Sequence, residues 1–386
     1  MLTVKLPHLL SNHQVPKVFR EDGIVGGYRN PQSSAKDCLL STFQMTNETL
    51  NIWTHFLPTW YFLWRLLVLW HSVDFYNEPY AWPLLVYLCV SCLYPFTSSC
   101  AHTFSTMSAH ARHVCYFFDY GALSLIQFGY VLFPHLPLYC MTPYIPIKVD
   151  DLAAELEIYG YDVVGIIESR LKEGCAITYR AYVMADSWVN NVLHSCFVRS
   201  LPSTPLVCTT LSCYSRFLRS EQPRLSKTFR LTAFTYPFLF DNLPLFYRLF
   251  LCWGEDCSHN TSVPTHYCHL LFAFLTFFLF ASHLPERLAP GCFDYIGHSH
   301  QLFHICAVAG THFQLEAIIT DMGCRRTWLL ANAPLPSLAG TLGVTLAALL
   351  LNLLVISFFI GLLALAPGSS PFLLSALSDQ VKSRTD

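Results

Sequence analysis

The chain has 386 residues, of which 53% are hydrophobic, 15% aromatic and only 12% charged, with a formal net charge of -2. Soluble globular domains carry about twice that charged fraction, and so balanced a charge supplies no basic field for nucleic acid. Composition excludes a soluble globular domain and a nucleic-acid-binding protein, and points to a polytopic membrane protein.

Residues 1–48 carry Lys5, Lys17, Arg20, Arg29 and Lys36 and lack the apolar core of a signal peptide. They read as a soluble cytosolic tail. Apolar runs close to the ~20 residues that cross a bilayer follow at Ile52–Trp70, Trp82–Ala101 and Val114–Phe133, so that 49–133 holds the first three spans. Residues 134–190 form an atypical polar, acidic insertion. Within it Leu152, Leu156 and Tyr159, then Val163, Ile166, Ile167 and Leu171, recur at helical spacing, which predicts two short amphipathic helices outside the bilayer. Residues 191–330 hold spans four to seven, at Phe197–Tyr214, Leu231–Trp253, Leu270–Leu284 and Gln301–Ile319. The fourth is interrupted by Arg199, Pro202 and Pro205. Residues 331–386 supply an eighth span, Leu338–Ala366, and a cytosolic tail with Lys382 and Arg384. The expected fold is all-α: a transmembrane helical bundle with a seven-span core plus a C-terminal eighth helix.

Loop charges set the expected orientation. Asp74 and Glu78 follow span one without Lys or Arg, and Arg112 follows span two. Arg216, Arg219, Arg224, Lys227 and Arg230 follow span four, and Glu255 and Asp256 follow span five. By the positive-inside rule the N-terminus is cytosolic, opposite to rhodopsin-type receptors. The sequon at Asn47 then stays unmodified, whereas Asn260-Thr-Ser262 falls in an external loop. The cysteines read mostly as small buried hydrophobes. Cys89-Val-Ser-Cys92 lies in mid-span without a second cysteine pair, which weakens any metal or redox reading.

Three histidines carry the chemistry. His300 and His304 are four residues apart and share one face of a helix. His102 closes span two. Spans two and seven run in opposite directions, so the three meet at the cytosolic membrane level. Imidazoles in hydrocarbon require partners, and three ligands from two helices suit a tetrahedral Zn2+ with one position open. Ser98, one turn before His102, and Asp119, early in span three, lie at similar depth as candidate catalytic groups, able to orient an imidazole or act as a base. The alternative for Asp119 is a buried acid paired with Tyr or Arg. The His-x-x-x-His pair lacks the glutamate of the metalloprotease signature. His110, His113, His283 and His298 read as amphipathic residues at headgroup level.

Several phrases carry a family resemblance: Asn47-Glu-Thr-Leu-Asn-Ile-Trp-Thr-His55, Ser98-Ser-Cys-Ala-His102, Phe118-Asp-Tyr-Gly121, His283-Leu-Pro-Glu-Arg287 and Phe293-Asp-Tyr-Ile-Gly-His-Ser-His-Gln-Leu-Phe-His304. Across about Pro7–Leu125 and Thr178–Trp328 the chain resembles the progestin and adipoQ receptor family, nearest to its membrane progestin receptors. The resemblance implies zinc at His102, His300 and His304 with Ser98 and Asp119 beside them. It also implies a multi-pass plasma-membrane receptor for a steroid, a progestin or neurosteroid, that signals through a heterotrimeric G protein. Related alkaline ceramidases make a zinc-dependent lipid amide hydrolase acting on a sphingolipid the competing expectation, with Asp119 as base and Ser98 steadying the oxyanion. Ile126–Ala176 departs from the family pattern, and Cys292 stands where arginine is usual. The basic stretch Arg216–Arg230 is either a contact for an intracellular partner or a topology signal near anionic membrane lipid.

Overall fold

The structure, a computed structural model, describes residues 8–132, 203–219, 222–243, 245, 246, 249, 262–332 and 335–365. The expected amphipathic helices, the start of the fourth span at Phe197, Asn260 and the tail beyond Leu365 lie outside the described residues. The chain divides into two units, one comprising 1–132, 202–241 and 261–386, the other 133–201 and 242–260. All helices named below belong to the first.

A short helix α1 (Ala35–Ser41) precedes α2 (Thr49–Ser72), α3 (Trp82–Phe104), α4 (Ala109–Val131), α5 (Ser203–Leu218), α6 (Pro223–Asp241), α7 (Val263–Ser282), α8 (Ser299–Asn332) and α9 (Val344–Leu365). Local sequence explains their starts. Ser34 and Asp37 form a reciprocal capping box at α1, and Ser108 Oγ accepts the Ala111 N–H at α4. Pro83 and Pro264 occupy first turns, where the missing N–H costs no helical bond. Among the described residues, Pro79–Phe104, Val263–Ser282, Ser299–Cys324 and Ala339–Leu365 are long and apolar enough to cross a membrane. The chain is a polytopic helical membrane protein.

Neighbouring helices pack in the order α2, α3, α4, α5, α6, α7, α8 and back to α2, a closed ring of seven, while α9 lies against α4 and α5. That contact is close. A Cβ on Gly121 of α4 would meet the tip of the Ile356 side chain of α9, Cδ1, at 2.9 Å. Asn352 Oδ1 accepts from Thr209 of α5 at 2.5 Å, and Phe117, Cys213, Ile356 and Phe359 form one buried cluster. Elsewhere, Arg65 of α2 pairs with Glu316 of α8, and Asp321 of α8 accepts from Ser262 (2.5 Å) and contacts His266 of α7 (2.9 Å). Such pairing is what polar side chains in a membrane require.

The structure corrects the reading of the basic stretch. Arg112 lies in the first turn of α4, and Arg224, Lys227 and Arg230 lie on α6, which begins at Pro223, well before its apolar run at Leu231. Arg216 belongs to α5, is buried, and lays its guanidinium over the Tyr116 ring at 4.4 Å. Hydropathy finds where apolar residues begin, whereas a helix begins where backbone capping and proline allow. Long basic side chains then extend back toward the interface.

Residues 8–34 are also more than a tail. Leu10 and Tyr28 form an antiparallel bridge, and Val15, Phe19, Ile24 and Tyr28 make a small core. Asp294, in the segment before α8, accepts the N–H groups of Val25 (2.8 Å) and Gly26 (2.6 Å). Gly27 turns the chain with φ +77° while its Cα faces Tyr295 Cε1, which a Cβ would approach to 2.9 Å. The buried Arg29 donates to the carbonyls of His102 and Thr103, capping α3. The segment closes one end of the helical ring.

Candidate metal centre

The closed end of the ring gathers the last turn of α3 and the first turns of α2, α4 and α8. There one nitrogen from each of His102, His300 and His304 lies within 4.8 Å of the others. His102 and His304 are buried and His300 is half-buried. His102 Nε2 faces His300 Nε2 at 3.3 Å. The three residues named from the sequence are brought together.

The outward nitrogens have partners. His102 Nδ1 meets Glu48 Oε2 at 2.7 Å. His304 Nδ1 lies 3.2 Å from the Asn51 carbonyl and 3.2 Å from Thr54 Oγ1. Since a carboxylate and a carbonyl only accept, these nitrogens carry the protons. The Nε2 atoms of His102 and His304 are left as lone-pair donors. His300 Nε2 either donates its proton to the His102 Nε2 lone pair or, deprotonated there, joins it in facing a cation, and three neutral imidazoles are a donor set that zinc favours. The residues present fit a metal ion.

Ser98 and Asp119 are buried at this level. Asp119 Oδ1 remains buried without a hydrogen-bond partner. The direct contact on the His102 ring comes instead from Glu48, and Tyr116 meets that ring edge-on at 5.8 Å. Glu48, Asn51, Thr54 and His55 were not singled out by sequence reasoning. The available signal was their spacing in Asn47–His55, which places 48, 51 and 55 along one helical face. His55 stacks on His304 with centroids 3.8 Å apart, and both its ring nitrogens are buried and unpartnered. Of the histidines read as interfacial, His298 and His113 are buried, and His298 Nε2 lies 3.2 Å from the Asn47 carbonyl.

Charge around the site is balanced from the tail. Glu21 pairs with Arg112 at 2.6 Å and Arg219 at 2.8 Å. Withdrawal from water pushes its carboxyl up, but the guanidiniums of Arg219 and Arg112 outweigh this and hold it down at about 2.

A family model described as haemolysin-III related matches residues 43–146 and 158–315. The match breaks inside the segment that sequence pattern sets apart. The chain is 55% identical to the membrane progestin receptor delta of Homo sapiens, over 97% of this chain and 96% of that protein. It is 52% identical to the delta receptor of Mus musculus, with the same coverage. Identity to the membrane progestin receptor gamma-B of Danio rerio is 48%, over 92% of this chain and 94% of that one.

Proposed function

The chain belongs to the haemolysin-III related family, among the progestin and adipoQ receptors, and from that premise we propose that it is a plasma-membrane progestin receptor with zinc held by His102, His300 and His304. The observation that supports the receptor reading is 55% identity along nearly the whole chain to a protein named for progestin. A progestin or neurosteroid is a rigid apolar skeleton with polar ends, suited to an apolar site between helices with a few fixed polar groups. Its binding must favour one of two conformations for a signal to pass. The N-terminus is cytosolic on this reading, and a heterotrimeric G protein meets the closed end, where Arg224 is exposed.

The test is equilibrium binding of labelled progesterone to the purified full chain. Saturable binding is expected, and its absence sinks the receptor reading. Metal analysis alongside is expected to find zinc in the wild type and none in a His102→Ala, His300→Ala double variant. Steroid binding that survives zinc removal would assign the metal a purely structural role.

A second reading, a zinc-dependent amide hydrolase acting on a sphingolipid, draws on the unpartnered Oδ1 of Asp119. A bound zinc would supply Lewis acidity toward a carbonyl oxygen. Asp119 would take a water proton at Oδ1, with Ser98 steadying the oxyanion. Fatty-acid release from ceramide by the purified chain, lost in His300→Ala, separates this reading from the first.

A further inference from the structure

The carboxylate of Glu48 has a definite place beside the three histidines. It stands at the residue before α2, buried, with Oε2 2.7 Å from His102 Nδ1. Asn51 Nδ2 donates to the same oxygen at 2.8 Å, and the Glu48 N–H is held by Thr46 Oγ1 at 3.2 Å. The acid is therefore fixed from two sides, and its reach to the imidazole is set by the first turn of α2. The same turn serves His304 through the Asn51 carbonyl and Thr54 Oγ1. One helix start thus touches two of the three histidines while contributing no ligand itself.

Two consequences follow from elementary chemistry. A carboxylate on Nδ1 fixes the proton there and leaves Nε2 as the basic atom, turned toward His300 Nε2. It also supplies negative charge that three neutral imidazoles lack, which matters for a dication in a medium of low dielectric. We propose that Glu48 is a positioning residue for the metal centre: it locks the His102 tautomer and ring orientation and offsets part of the ion's charge. The proposal rests on the reading of the cluster as a metal site.

The experiment is zinc competition against a chelator of known affinity, on full-length protein purified in detergent, with helical content and monodispersity checked for each variant without metal. Loss of such an outer partner typically weakens metal binding by about 10- to 100-fold. Glu48→Gln is expected to show that loss. Glu48→Asp, which keeps the charge one methylene short, is expected to fall between Glu48→Gln and wild type. Glu78→Gln, which removes an exposed carboxylate paired with Arg326 away from the histidines, is expected to bind zinc like wild type. Equal affinity of Glu48→Gln and wild type overturns the assignment alone. A wild-type protein that binds no zinc overturns the metal reading beneath it as well. If Glu48→Gln does not fold, Glu48→Asp decides: undiminished affinity there overturns the proposal.

Discussion

Glu21 joins three segments distant in sequence, since its two oxygens reach Arg112 at the start of α4 and Arg219 just past α5. Its carboxyl sits at about 2, below the ordinary 4.5. A depressed acid contributes stability that is present above its unfolded value and is lost as pH falls through the folded one. The tail is therefore expected to loosen as pH drops from about 4.5 toward about 2. Proteolysis of residues 8–34 by an acid-active protease reads this directly. In Glu21→Gln the same window is expected to be flat, with the tail already looser at neutral pH. A wild type and Glu21→Gln that behave alike across the window would show that these ion pairs hold nothing. The carboxylate is 37% exposed, so solvent screens part of the effect.

At the scale of elements, the tail and α9 are the two additions to the ring. The tail is seated by Asp294 on the N–H groups of Val25 and Gly26. Hydrogen bonds to a charged group are worth about 1.5–3 kcal/mol each, so Asp294→Ala is expected to free residues 8–34 by a few kcal/mol of local stability. Hydrogen exchange would register this as lost protection at Val25 and Gly26, with α3 and α8 unchanged. At the α9 contact a methyl group on Gly121 would displace only the tip of the Ile356 side chain. Gly121→Ala is therefore expected to be tolerated, whereas the bulkier Gly121→Leu is expected to part α9 from α4, expose Phe117 and Phe359 and lower the thermal unfolding temperature. These elements show what a linear sequence can and cannot display. Apolar length is a local property, and so the second, sixth, seventh and eighth expected spans fall on the four described helices long and apolar enough to cross a membrane, whereas the helix expected over Leu231–Trp253 ends at Asp241. His102, His300 and His304 were legible because helical spacing and antiparallel direction fix their level. The roles of Glu48 and Arg216 were not. A carboxylate before a helix and an arginine after an apolar run both read as interfacial until packing buries them. The folded tail was hidden for a related reason: its hold comes from Asp294 and Arg29 acting on backbone groups far away in sequence.

For the whole molecule, the ring brings α3 and α8 to opposite sides of the α2 start, and the three histidines are where their side chains converge. A metal ion gripped there would join helices separated by about two hundred positions in the chain, and no such site exists once the ring opens. Binding to the folded state alone stabilises it by RT ln(1 + [L]/Kd), about 2.7 kcal/mol at a hundredfold excess over Kd. Zinc is therefore expected to raise the thermal unfolding temperature of the detergent-solubilised protein, and a chelator to lower it. The rise should grow with the logarithm of free zinc. In His304→Ala the ligand set is incomplete, and the dependence on zinc is expected to collapse even if the fold survives. His55→Ala discriminates further: it removes the ring stacked on His304 without removing a member of the cluster, so the unfolding temperature should fall while its dependence on zinc persists. A zinc response that is identical in wild type and His304→Ala would mean that the ion binds elsewhere, and that the convergence of these imidazoles is a packing arrangement with no metal in it.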